Sequence, residues 1–122
     1  MTVVTRNYVR IRGDRGPTLI FSHGFGCDQT MWSRVADRFA DRARVVLFDH
    51  VGSGASDIQA YDPEVYGTLD GYARDVAEIC EALDVRDAIF IGHSASATIG
   101  ALAVLDHTDR IGRLVLVCAS PR

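Results

Sequence analysis

The sequence contains no lysine: all 13 basic side chains are arginines, set against 16 acids. A Walker-type phosphate loop, which needs a lysine to meet the phosphate, is therefore excluded. The net charge of -3 leaves no basic surface for nucleic acid. Long apolar runs are also missing. Nothing approaches the roughly 18 residues of a membrane span, and Met1-Thr2-Val3-Val4-Thr5-Arg6 lacks the hydrophobic region of a secretory signal, so the expectation is a cytoplasmic chain with no membrane partner. Cysteine is scarce. Cys27, Cys80 and Cys118 are odd in number and none stands in C-x-x-C spacing, which argues against a disulfide framework or a zinc site. They fit better as small apolar packing residues, and no metal or other cofactor is expected. Nothing local explains the exclusive use of arginine.

What is present is enough chain, 122 residues, for one domain with a modest core. Residues 7–12 alternate Tyr8, Val9 and Ile11 with arginines, as an edge strand does. Thr18-Leu19-Ile20-Phe21 and Arg44-Val45-Val46-Leu47-Phe48 are short continuous apolar runs, the mark of strands covered on both faces. Between them, residues 29–40 carry Met31, Trp32, Val35, Ala36 and Phe39 at helical spacing behind Asp28, a suitable N-cap, and Trp32 on that stripe reads as core. Leu69, Tyr72, Ala73, Val76, Ile79, Cys80 and Leu83 recur at intervals of three and four, which predicts an amphipathic helix with Asp75, Glu78 and Glu81 turned to solvent. Residues 49–68 show no period, and a connection that long usually borders a functional site. Further strands are expected at Ile89-Phe90-Ile91 and over 113–117, with a helix over 95–106 between them.

Three motifs lie at the ends of these strands. The first is Gly92-His93-Ser94-Ala95-Ser96, one letter from the G-x-S-x-G elbow in which a serine on a strained strand-to-helix turn holds its hydroxyl clear of the sheet. Ser94 is the candidate nucleophile. A Cβ at position 92 would collide with the turn, so Gly92 fits; Ser96 adds one hydroxymethyl group where glycine is usual. The amide of Ala95, at the start of the helix, would face an oxyanion forming on a substrate carbonyl. The second is Ser22-His23-Gly24-Phe25-Gly26, where alternate glycines, Gly24 and Gly26, let the backbone approach a ligand and the amide of Phe25 is the candidate second oxyanion donor. His23 is expected to brace this loop. The third, Asp49-His50-Val51-Gly52-Ser53-Gly54-Ala55-Ser56, fails the spacing of both phosphate-binding fingerprints. Asp49 is expected to cap the strand end through the turn amides, and His50 to stand as a wall or surface residue.

With the three motifs in this order between alternating strands and helices, the sequence resembles the α/β-hydrolase superfamily. Gly24-Phe25-Gly26-Cys27-Asp28-Gln29 with Trp32, Phe48-Asp49, Val51-Gly52-Ser53-Gly54, Ser56-Asp57, Tyr61-Asp62 and Thr68-Leu69-Asp70-Gly71-Tyr72-Ala73 are similar to the branch that holds the bacterial RsbQ-type stress-response hydrolases and the plant strigolactone and karrikin receptors. Ser96 resembles the serine that strigolactone receptors carry in the elbow.

The resemblance implies a three-layer α/β-hydrolase sheet, mostly parallel, of which residues 1–122 form the N-terminal part, truncated after the strand that follows the elbow helix. It implies a serine hydrolase for a small, largely apolar ester or lactone-like substrate, without cofactor. In the family the triad runs Ser, Asp, His, so the acid and the base of Ser94 are expected beyond Arg122, together with a helical lid. His93 adjoins the serine but should point away, and His107 lies at the far end of the helix. The chain by itself is thus expected to be nearly inert, and its last strand to present an unpaired apolar edge. A signalling role through a PAS-domain phosphatase partner is the alternative the resemblance implies; an inactive fragment is the third.

Overall fold

The computed structural model describes residues 2–119. Five strands form a single sheet in the order β1-β3-β2-β4-β5: β1 is Arg10–Arg12, β2 Thr18–Ser22, β3 Arg44–Leu47, β4 Ala88–His93 and β5 Ile111–Val117. β1 runs antiparallel to β3 on one edge, and every other pairing is parallel. Helices α2 (Ser33–Phe39), α4 (Leu69–Ala82) and α5 (Ala95–Asp106) follow β2, β3 and β4 respectively, giving the alternating order that the apolar runs predict.

The side-chain alternation along each strand decides which layer it feeds. Ile20, Val46 and Phe90 point to one face, where they meet Ala73, Val76, Ile79 and Cys80 of α4 and Ile99 and Ala103 of α5. Leu19, Phe21, Val45 and Leu47 point to the other, against Trp32, Ala36 and Ala43. Gly100 lets α5 settle onto the sheet, since a Cβ there would stand 2.5 Å from the ring of Phe90. Cys80 is buried, while Cys27 and Cys118 are exposed and all three are unbridged. Among the described residues, no helix is long and apolar enough to cross a membrane.

Four details depart from the sequence reading. A short helix, α1 (Val3–Arg6), precedes β1, so the edge strand is only three residues long. Residues 29–32 wind as a 3-10 turn before α2, capped by the Asp28 carboxylate on the Thr30 amide, and Met31 and Val35 remain about two-fifths exposed. The 49–68 connection holds a 3-10 turn at Ile58–Ala60 and a one-turn helix, α3 (Pro63–Tyr66). Asp75, expected in solvent, is buried: its Oδ1 accepts from Arg6 at 2.7 Å and its Oδ2 from the Tyr66 hydroxyl at 2.9 Å. Arg6 and Tyr66 come from α1 and α3, elements that the helical period of α4 says nothing about.

Candidate active site

β2 and β4 are neighbours in parallel, with Ser22 opposite Gly92, so the segments that leave them, 23–26 and 94–97, emerge side by side. Ligand sites in open α/β sheets form at this end of the strands. The two segments touch through the Ser96 hydroxyl, which donates to the His23 carbonyl, and the loop also packs on the end of β4. A Cβ on Gly24 would lie 2.6 Å from Nδ1 of His93, which is why only glycine lets the loop close onto the elbow.

Ser94 has φ 58° and ψ −120°, between the last residue of β4 and the first of α5. A non-glycine residue at positive φ stores about 1–3 kcal/mol of strain, and here the geometry leaves the serine exposed at the surface. Its amide donates to the carbonyl of Val117 on β5 at 2.9 Å, and its carbonyl accepts from Ala97 at 3.0 Å. Gly92 has no room for a side chain: a Cβ would stand 2.5 Å from the carbonyl oxygen of Ser96 and 2.9 Å from the amide of Ala97. Ala95 opens α5, so its amide belongs to the first turn of the helix, which has no intrahelical acceptor.

The loop opposite is fastened from within. Nδ1 of His23 lies 2.7 Å from the Gly24 carbonyl and Nε2 accepts from the His50 amide at 3.0 Å, so His23 donates through Nδ1 and braces the loop as expected. Gly26 takes φ +85° to complete the turn. The Phe25 ring, half exposed, leans on Tyr72 (5.2 Å between centroids) and on His50 (5.9 Å).

Asp49 also acts as expected and further: its Oδ2 accepts from the Ala55 amide at 2.9 Å and its Oδ1 from the Gln29 amide at 2.8 Å, tying the glycine loop to the start of the 3-10 turn.

His50 is not the wall residue that its position in a polar loop suggested. It is 1% exposed, and burial together with the neighbouring His23 pushes its pKa down to about 3. Its Nε2 lies 2.8 Å from Ser96 Oγ and 3.2 Å from Ser22 Oγ. Ser96, the departure from the glycine pattern, thus has a built environment: fully buried, it also donates to the carbonyl of His23. No local pattern announces Ser22, His50 and Ser96 as partners, because they come from three strand ends.

The four histidines are all accounted for. His23 and His50 are buried behind the loop, His93 packs under Gly24, and His107 pairs with Asp70 at 2.7 Å at the far end of α5. Among the described residues none is hydrogen-bonded to the Ser94 hydroxyl, and no group of three or more His, Cys, Asp or Glu side chains is placed to hold a metal ion. Open hollows of about 500 and 620 Å³ flank the 26–30 segment, and neither is lined by Ser94.

Comparison with known proteins agrees with this geometry. Residues 17–122 match the family model described as the alpha/beta hydrolase fold. The Karrikin insensitive 2 receptor CA of Petunia hybrida is 42% identical over 114 residues, which are 93% of this chain and 42% of that protein. The strigolactone esterase RMS3 of Pisum sativum is 39% identical over 114 residues, 93% of this chain and 43% of its own length. Among solved structures, a hydrolase from Oleispira antarctica superposes with a TM-score of 0.93 at 42% identity, over 98% of this chain and 44% of that one. The chain therefore spans less than half the length of these relatives. With a five-stranded, mostly parallel sheet, a strained serine at its strand-to-helix turn and a family match over residues 17–122, the chain belongs to the α/β-hydrolase fold family.

Proposed function

We propose that Ser94 is the nucleophile of a serine hydrolase that opens a small, largely apolar ester or lactone. Oγ attacks the carbonyl carbon while a histidine takes its proton, and the oxygen of the tetrahedral adduct is held by the amides of Phe25 and Ala95, with Gly24, Gly26, Gly92 and Ser96 shaping the two segments. The observation that carries this reading is the exposed serine at φ 58° beside a glycine loop packed on the elbow. It is supported by relatives described as a strigolactone esterase and a hydrolase.

Residues 1–122 then form the N-terminal part of the core domain, and the triad acid and histidine, the lid and the remaining strands come from sequence beyond Arg122. The length of the relatives supports this. A fluorophosphonate probe added to a polypeptide extended by that sequence is expected to label Ser94, and Ser94→Ala to abolish labelling. An extended, folded protein that stays unlabelled would overturn the assignment.

The likeness to a karrikin receptor favours a second reading, in which binding or turnover of a small molecule alters contact with a protein partner. By the RsbQ-type resemblance that partner would be a PAS-domain phosphatase in a stress-response pathway. Retention of such a phosphatase on the immobilised protein, changing when an ester ligand is added, tests it. An inert fragment is the remaining reading; equal, background-level hydrolysis by residues 1–122 and by the extended protein would establish it.

A further inference from the structure

We propose that His50 is the positioning residue that locks the two amide-bearing segments of the site, the 23–26 loop and the first turn of α5, into one unit; this rests on the reading of Ser94 as nucleophile.

The hydrogen-bond directions determine what His50 does. Ser96 Oγ donates to the His23 carbonyl at 2.5 Å, and Ser22 Oγ donates to Ser96 Oγ at 2.7 Å. Both hydroxyl protons are then used, so Nε2 of His50, 2.8 Å from Ser96 Oγ, carries the hydrogen and donates. Nδ1 is left bare and buried, with no hydrogen-bond partner among the described residues. The neutral, Nε2-protonated ring is the form that this cage accepts, and burial holds it there.

Through that bond the His50 side chain grips the residue two positions after the nucleophile. Through its own amide it grips His23, and His23 in turn holds the Gly24 carbonyl next to Phe25. The ring adds edge contacts with Phe25 at 5.9 Å, Phe48 at 5.2 Å and Tyr72 at 5.5 Å between centroids. One residue thus spans from the segment carrying the Phe25 amide to the segment carrying the Ala95 amide. The separation of those two donors decides how well they meet a developing oxyanion. Ser96 completes the span, since a glycine there would leave the His50 donor only Ser22, at 3.2 Å.

The test uses the full-length protein with a small ester and the fluorophosphonate probe, and compares His50→Phe, His50→Gln and Ser96→Ala after each is shown to fold by circular dichroism. Loss of the donor in His50→Phe is expected to lower kcat and the labelling rate about ten- to a hundredfold with KM nearly unchanged. His50→Gln, whose amide can reach Ser96, should recover most of the loss. Ser96→Ala, which also removes the direct bond to the His23 carbonyl, should lose at least as much as His50→Phe, and the double variant no more than Ser96→Ala alone.

Unchanged kcat in His50→Phe, a change in KM alone, or equal losses in His50→Phe and His50→Gln would overturn the proposal. Hydrogen exchange at the Cys27 and Ala97 amides, which bond to the Gly24 and Ser94 carbonyls on the two segments, needs no substrate and no active nucleophile: faster exchange at both in His50→Phe, restored by His50→Gln, supports the proposal, and unaltered exchange overturns it. If the wild-type protein is not labelled at all, the nucleophile assignment fails, and exchange still decides the role of His50. The same comparison serves if His50→Phe does not fold, with Ser96→Ala and His50→Gln as the pair.

Discussion

The Tyr66 hydroxyl donates to Asp75 across 2.9 Å at a point where the carboxylate is only 3% exposed. Arg6 holds the other oxygen, yet burial outweighs it and the Asp75 pKa is pushed up to about 6. Between the unfolded value near 4 and this one, the native state binds the extra proton. The contribution of Asp75 to stability is therefore full below about pH 4 and falls as pH rises through about 6. Asp28, Asp70 and Asp84, whose values are lowered by hydrogen bonds from Thr30, His107 and Arg110, act in the opposite sense below pH 4. Thermal melts of wild type and Asp75→Asn from pH 4 to 7 should show the wild type losing ground steadily, by at most about 3 kcal/mol. Parallel curves would refute it.

Ser94 is held in a conformation that glycine adopts without cost. Ser94→Gly should remove the hydroxyl and relieve the strain together, raising stability by about 1 kcal/mol after the added flexibility of the unfolded chain is set against it. Denaturant titration measures the gain; a loss instead would mean that the turn is relaxed.

Gly92 faces the backbone of α5 rather than a yielding side chain. Gly92→Ala is expected to force the helix start away from β4 and to cost about 2–3 kcal/mol, read as a lower denaturation midpoint. A variant as stable as wild type would show that α5 can shift freely.

Asp49 accepts from two amides with two different oxygens. In Asp49→Asn one of those oxygens becomes a donor facing a donor, so one amide loses its partner at a cost of about 1–3 kcal/mol. Faster hydrogen exchange at Ala55 or Gln29 should accompany the loss, and protection at both sites would contradict it.

The three central strands were legible because they are apolar runs bounded by turns, a signal that is local in sequence: β2 and β3 begin at Thr18 and Arg44, and β4 one residue before Ile89. The elbow was legible for the same reason, since the Gly92 spacing encodes a clash within five residues. Asp75 and His50 were not. Their surroundings are assembled from Arg6 and Tyr66 in one case and from Ser22 and Ser96 in the other; the helical period turned Asp75 to solvent, and the polar loop around His50 suggested a wall or surface position, because each reading weighs only nearby residues. Residues 29–32 misled in a related way: a capped 3-10 turn carries the same spacing as a helix start but leaves Met31 outside.

The bond from the Ser94 amide to the Val117 carbonyl makes the last strand a strut for the kink. A turn whose motif is written entirely in residues 92–96 is thus kept in shape from more than twenty positions downstream. Anything that pulls β5 out of register, whether a bulky substitution at Leu116 or a competing strand at the sheet margin, would slacken the turn while leaving every letter of the motif in place.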